Sequence, residues 1–347
     1  LVAPAAYRRH RRHAERGHYD WVIGHTSATL SQLGDDAGPQ RWGPGVVARL
    51  GAALARRQEL AAARVELTRA LAALPGSLAQ RDLGSAEVHE LQLVEVLVVM
   101  GEFAEANRRA AGLWQAERHP AIRLAAARTH AAVHLAGGDL AGAHAWLDEA
   151  ASRAAGLGGD LGLALVHADR ASVVAESGRI HEAVAMATEA LARLDRARTS
   201  HPSNQALPAA QAVMTANAVA MAAAHHGDVL SAQLLHAESV RRATIADRPV
   251  TAAQLDITAS AVLRLTGDHA ALGGNHSPAE RAAVNLAVAQ AEPARAMAVR
   301  EQALVAHATG QMASAHALAM QALGLFDRLQ MPTESARTRA LVDLLAQ

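Results

Sequence analysis

A six-residue pattern, a glycine turn running into an alanine, returns down this chain about every forty residues. It reads GEFAEA from Gly101, GDLAGA from Gly138, GRIHEA from Gly178, GDVLSA from Gly227 and GQMASA from Gly310. Looser copies start at Gly17 (GHYDWV) and Gln58 (QELAAA). A period of this length implies stacked helix pairs, each able to bury its apolar face only against its neighbours. It also narrows function, because such arrays are platforms for partners more often than catalysts.

Counting from the turn glycine, an apolar side chain stands two residues on: Tyr19, Leu60, Phe103, Leu140, Ile180, Val229 and Met312. Alanine stands five on, at Ala63, Ala106, Ala143, Ala183, Ala232 and Ala315, with Val22 the exception. Twelve on, the residue is often small again (Ala70, Ala150, Ala190, Ala322). Thirteen on, it is usually large and apolar (Leu30, Leu71, Trp114, Leu191, Val240, Leu323). Each choice has a reason. Glycine takes the left-handed conformation that ends a helix sharply. Alanine lets two helices approach closely, and the large residue is expected to fill the gap to the next pair.

First helices are predicted at Val46 to Arg57, Glu87 to Met100, Ile122 to Ala136, Leu161 to Ser177 and Ala209 to His226. Second helices end at loops such as 74–77 (LPGS), 198–204 (RTSHPSN) and 247–249 (DRP). The seventh unit departs from the pattern: its turn at Gly267 lacks the apolar and alanine positions, and the loop GGNHS follows at Gly273 to Ser277. Ser277, Pro278 and Glu280 then carry the signature of a capping box at a fresh helix start. A last helix from Pro332 to Ala346 reads as the cap over the open end of the core.

The composition agrees. Alanine is about a quarter of the chain and aromatics only 2 %, a balance that favours helix over strand. Formal net charge is zero, so nothing global points to nucleic acid or an anionic membrane. Cysteine is absent, which excludes disulfides and thiolate metal sites. All 33 basic residues are arginine, as a GC-rich coding sequence would produce. No apolar run reaches the roughly 18 residues that span a bilayer. Neither does the basic stretch Tyr7 to Arg16 have the apolar core of a signal peptide; it reads as a solvated helix face. A cytoplasmic location is expected. Leu1 in place of methionine fits either a processed product or a fragment of something longer.

The 19 histidines raise the question of a metal. His130 and His134 stand four apart on a predicted helix, and His10 and His13 three apart, yet no HExxH or comparable string supplies the other ligands. Packed, hydrogen-bonded histidines are the expectation. His225 and His226 sit at a helix end, where a cationic imidazole suits the dipole. The acidic pair in LGDDAG (Leu33 to Gly38) has no second carboxylate cluster and reads as a loop. No nucleophile elbow or phosphate-binding loop is present, so the chain is expected to be no enzyme and to need no cofactor.

These spacings resemble the tetratricopeptide (TPR) repeat, with its turn glycine, apolar residue two later and alanines five and twelve later. Gly51 matches the small residue of the first helix and Pro75 the proline that closes a repeat. The resemblance runs from Ala5 to Met331, though the units exceed the family's usual 34 residues and most aromatic positions are aliphatic. It implies an all-α fold, a right-handed α-solenoid of about eight antiparallel helix pairs. The whole of 1–347 would form one such domain, with turns near 17, 58, 101, 138, 178, 227, 267 and 310 and a cap helix at 332–346. In TPR arrays the first helices line a concave groove. That pattern places Tyr7, Arg8 and Arg49 there, then Gln92 with Glu95, Arg128 with Thr129, Asp169 with Ser172, Asn217 with Met221 and Arg300 with Glu301, a set whose amides and arginines suit a peptide. Long, degenerate repeats of this kind are typical of bacterial signal-responsive transcription regulators. The resemblance therefore implies a sensor or scaffold, with a DNA-binding or NTPase domain upstream. A free-standing adaptor that joins other proteins or forms a homodimer is the rival expectation, and a helical metal-dependent enzyme a distant third.

Overall fold

The computed structural model describes residues 22–26, 43–73, 86–116, 120–157, 160–200, 206–243, 248–272 and 277–347. Among them every regular element is helical and there is no strand. After a short helical stretch at 22–26 come α1 (Gly43–Arg56), α2 (Leu60–Ala73), α3 (Ala86–Met100), α4 (Phe103–Ala116), α5 (Pro120–Ala136) and α6 (Leu140–Gly156). Then follow α7 (Asp160–Glu176), α8 (Ile180–Ser200), α9 (Ala206–His225), α10 (Val229–Arg242) and α11 (Pro249–Leu265). The chain finishes with α12 (His269–Leu272), α13 (Pro278–Val288), α14 (Glu292–Ala308), α15 (Met312–Arg328) and α16 (Pro332–Leu345). Helices pack mainly in adjacent pairs, α1 on α2, α5 on α6, α7 on α8, α9 on α10 and α14 on α15. The expected first helices are all present, within three residues at either end.

One turn geometry recurs at nine of the described turns. At Gly101 the amide of Glu102 donates to the Leu97 carbonyl (2.9 Å) and that of Gly101 to Val98 (3.1 Å). These two bonds satisfy the last carbonyls of α3 and reverse the chain within three residues. Gly101 has φ 85°, and Gly138, Gly178, Gly227, Gly267 and Gly310 lie between 74° and 81°. Gln58, Gln290 and Gln330 adopt the same conformation at 56–61° and make the same paired bonds. The turns at Gln290 and Gln330 join one pair to the next, and the glycine pattern does not reveal them. Two 17-residue helices, α14 and α15, and the three-residue turns beside them account for the forty-residue period.

The alanines five after the turn are fully buried from Ala63 to Ala315, as are Ala70, Ala150, Ala190 and Ala322. The position thirteen after the turn behaves less uniformly than expected. Leu191 is buried and Leu71, Trp114 and Leu323 are half-buried, but Val240 is 46 % exposed. A further difference lies in α8, which continues to Ser200 through residues expected to be loop, with the Thr199 hydroxyl on the Arg196 carbonyl (2.8 Å). The seventh turn does depart from the pattern. Asp268 caps the next helix by accepting from the Ala271 amide (3.2 Å), but that helix, α12, ends after four residues. The real partner helix is α13, begun by the Ser277–Glu280 capping box.

Units distant in sequence touch along one edge. The side-chain amide of Gln58 donates to the Thr251 hydroxyl (2.9 Å) and accepts from the Thr251 amide (3.0 Å). A Cβ on Gly101 would stand 2.7 Å from Leu329 and 3.0 Å from Pro293, and one on Gly138 would collide with Thr333. Arg337 reaches back to Glu176 (2.8 Å). Counted by their turns, the second unit meets the seventh, the third meets the eighth, and the fourth meets α16. The main apolar cluster accordingly joins residues as far apart as Leu50 and Ala298.

Candidate functional site

The groove positions of the first helices form a polar layer that runs from helix to helix. In α5 the Arg128 guanidinium donates from Nε to Asp169 Oδ2 of α7 (2.5 Å), and from Nη2 to Asp169 Oδ1 and Gln211 Oε1 of α9 (3.2 Å each). Burial acts to lower the Arg128 pKa, but Asp169, with Glu95 behind it, outweighs burial and holds the guanidinium more firmly charged than usual. Gln92 and Glu95 lie on α3; the Gln92 amide oxygen meets His89 Nδ1 (3.0 Å), and Glu95 is exposed. Asn217 on α9 is 8 % exposed. Its amide donates to the Gln254 carbonyl of α11 (3.5 Å), while Asn217 Oδ1 and Gln254 Oε1 are buried acceptors with no donor.

Arg300 and Glu301 sit deeper. Glu301, 2 % exposed, is held by a two-pronged contact from Arg264 of α11 (2.9 and 3.3 Å). Burial raises its carboxyl pKa, and Arg264 works against that rise. Arg300 pairs with Glu334 of α16 and donates from Nη2 to His225 Nε2 (3.2 Å). Arg337 joins Glu334 to Glu176 of α7 (2.8 Å to each). His225 must present a lone pair to Arg300, so its proton sits on Nδ1, which is buried without a partner. Burial, and then the cations Arg300, Arg337 and Arg264, push the His225 pKa well below the ordinary histidine value. This places a neutral imidazole where the sequence suggested a cationic helix end.

Seven of the expected groove residues thus fall into two groups. Gln92, Glu95, Arg128 and Asp169 form a partly exposed row on α3, α5 and α7. Asn217, Arg300 and Glu301 belong to the interior, paired between first helices. Arg49 lies on α1, outside the described side chains, and Tyr7 and Arg8 lie outside the described residues, as do His10, His13 and Leu33 to Gly38. Gln211, Arg264, Glu334 and Arg337 complete the layer. They do not sit at the groove positions of the repeat, and only the packing of one first helix on the next brings them in.

His130 is buried, stacked on Trp146 (centroids 4.2 Å apart), with Nδ1 on Asn107 Oδ1 (2.6 Å). Burial, and then His134, lower its pKa. His134 turns instead to Asp139 (2.9 Å). Among the described residues no group of three or more His, Asp or Glu could hold a metal ion, and no helix is long and apolar enough to cross a membrane. No protein-family model matches the chain, and no curated protein matches it either.

Proposed function

We propose that this chain is a TPR-like right-handed solenoid of antiparallel helix pairs that binds a peptide or protein segment along its first helices, without chemistry of its own. It would serve as the sensor or scaffold of a bacterial transcription regulator in the cytoplasm, coupled to a DNA-binding or NTPase domain. The recurrence of one turn and the alternation of buried alanines support the repeat reading. The partly exposed row Gln92, Glu95, Arg128 and Asp169 carries the binding reading. It offers two carboxylates around one arginine, and one amide, Gln92, that can pair with peptide backbone. An extended segment with a basic side chain fits that charge order. Asn217, Arg300 and Glu301 would hold the inner layer together rather than meet the ligand.

The test is a random-peptide display screen with the wild-type chain and with Glu95→Arg, whose side chain is exposed and whose folding should be unaffected. Basic peptides enriched by the wild type and lost with Glu95→Arg support the groove. Equal enrichment by both, or none by either, removes it.

A second reading, the adaptor, rests on a different observation. Leu230 and Leu234 on α10 and Val284 and Val288 on α13 are exposed apolar pairs, with Leu234 64 % and Val288 82 % open to solvent. Such side chains suit a contact with another protein or a second copy of the chain. Sedimentation equilibrium decides it: mass that rises with concentration and falls back with Leu234→Arg or Val288→Arg would put the adaptor first.

A further inference from the structure

Four successive first helices and the last helix meet at one cluster of charge. α7 brings Glu176, α9 His225, α11 Arg264, α14 Arg300 and Glu301, and α16 Glu334 and Arg337. Among the described residues the cluster sets three arginines against three glutamates, each held by an opposite charge. Arg300, Glu301 and Glu334 are buried, so the balance is not softened by water. It holds only while His225 is neutral. Nε2 of that ring accepts from Arg300 Nη2 (3.2 Å), and Nδ1 is buried without a partner. A second ring proton would turn an N–H towards the Arg300 N–H and add a fourth cation where all three carboxylates are taken.

The anchoring of the cluster decides which contact gives way. Arg300 lies over the Phe326 ring of α15 (5.3 Å) and pairs with Glu334, so it moves with α15 and α16. Apolar packing joins the same block, with Leu341 and Leu345 of α16 on Ala303 and Ala306 of α14 and on Ala315 and Ala319 of α15. Across to the middle of the chain, α16 is held by Arg337 on Glu176 (2.8 Å) and by Thr333 against Gly138. Those polar contacts line the seam that a cation at His225 would strain.

We propose that this cluster is an acid-released clasp: protonation of His225 parts the α14–α16 block from α7 and α9 and opens the interior of the array, where Asn217, Arg300 and Glu301 lie. The groups that bear on His225 are Arg300 of α14, Arg337 of α16, Arg264 of α11 and the adjacent His226, with Glu334, Glu176 and Glu301 as counter-charges. The closed state resists the proton, and an open state with a freely hydrated imidazole takes it near pH 6.5. Acid therefore favours opening, by up to about thirtyfold between pH 7.5 and 5.0. Glu301, whose carboxyl burial raises, pushes the same way when it takes a proton, because Arg264 then loses its partner. The clasp is a property of the array and does not rest on the Gln92–Asp169 row binding a peptide.

The chain has no cysteine, so spin labels on Ala141→Cys in α6 and Ala336→Cys in α16, both exposed positions, report on the two sides of the seam. Double electron–electron resonance on the full chain should give one short distance at pH 7.5 and an added, longer one at pH 5.0, with helical circular dichroism unchanged. His225→Gln still accepts from Arg300 and cannot take the proton. In that background the short distance should stand alone at both pH values. A single short distance at pH 5.0 with His225 present would overturn the clasp. So would a longer distance that persists in His225→Gln, which would assign the opening to Glu301 or another carboxylate, or one that appears only as helicity is lost.

Discussion

At the scale of single residues, the turn glycines look alike in sequence and differ in what surrounds them. All adopt a left-handed backbone, which costs a residue with a Cβ about 1–2 kcal/mol. Gly227 has no atom within 4 Å of where a Cβ would stand, so Gly227→Ala should cost only that backbone term. Gly101 faces the Pro293 ring, which has no rotamer to escape into, and Leu329 as well. Gly101→Ala should therefore cost more than Gly227→Ala in urea unfolding; equal costs would mean that the two edges are not in contact in solution. Ala183 is a third case. It is fully buried, and Ala183→Leu should destabilise by about 1–3 kcal/mol through overpacking. The sequence identified these residue types and their spacing because they answer local needs, turn conformation and close helix approach. The added constraint at Gly101 comes from residues 190 and more positions further along, which no local pattern can register.

At the scale of elements, the first helices are joined by charge as well as by apolar packing. Arg264 and Glu301 tie α11 to α14 in the interior. Removing one partner strands the other: Arg264→Leu should cost about 3–5 kcal/mol, and Arg264→Leu with Glu301→Leu much less. A double-mutant cycle by urea unfolding measures the difference. His225 makes this layer sensitive to acid. In the unfolded chain a histidine takes its proton near pH 6.5, while in the folded chain burial and three arginines delay that step to lower pH. The unfolded state thus binds more protons as pH falls, so the His225 contribution is complete above about pH 6.5 and is lost below it. His225→Gln can still accept from Arg300 and does not titrate. Its stability should fall less between pH 7.5 and 5.5 than the wild type's, by about 1 kcal/mol per pH unit at most. Carboxylates such as Glu238, drawn down to about 2 by its arginine partners, act in the same direction but in a window below the ordinary carboxylate range.

At the scale of the whole molecule, contacts between non-neighbouring units decide how the repeats behave together. A simple array would open unit by unit, each stabilised only by its neighbours. Here Gln58 is bonded to Thr251, 193 residues away. Gln58→Ala keeps a side chain at the turn but deletes both hydrogen bonds. Amide exchange should quicken in α2 and also in the first turn of α11, while α7 and α8 stay as protected as before. Faster exchange in α2 alone would show that the edge is open in solution. Three of the expected groove residues lie in the interior, where Asn217 meets Gln254, Glu301 meets Arg264, and Arg300 meets His225 and Glu334.

The sequence by itself determined that the chain is helical, where its first helices run, which positions are small and buried, and where the array breaks. Those features follow from turn geometry, capping and steric fit, which act over a few residues and leave a periodic trace. The tertiary structure alone decided that His225 is neutral, that Arg300 and Glu301 are held inside by Glu334 and Arg264 while Glu95 faces out, and that α13 rather than α12 is the partner of α11. Those outcomes depend on which helix lies against which. Charge pairing and desolvation are set by distance in space, and residues such as Glu176 and Arg337 meet only once the helices between them have stacked.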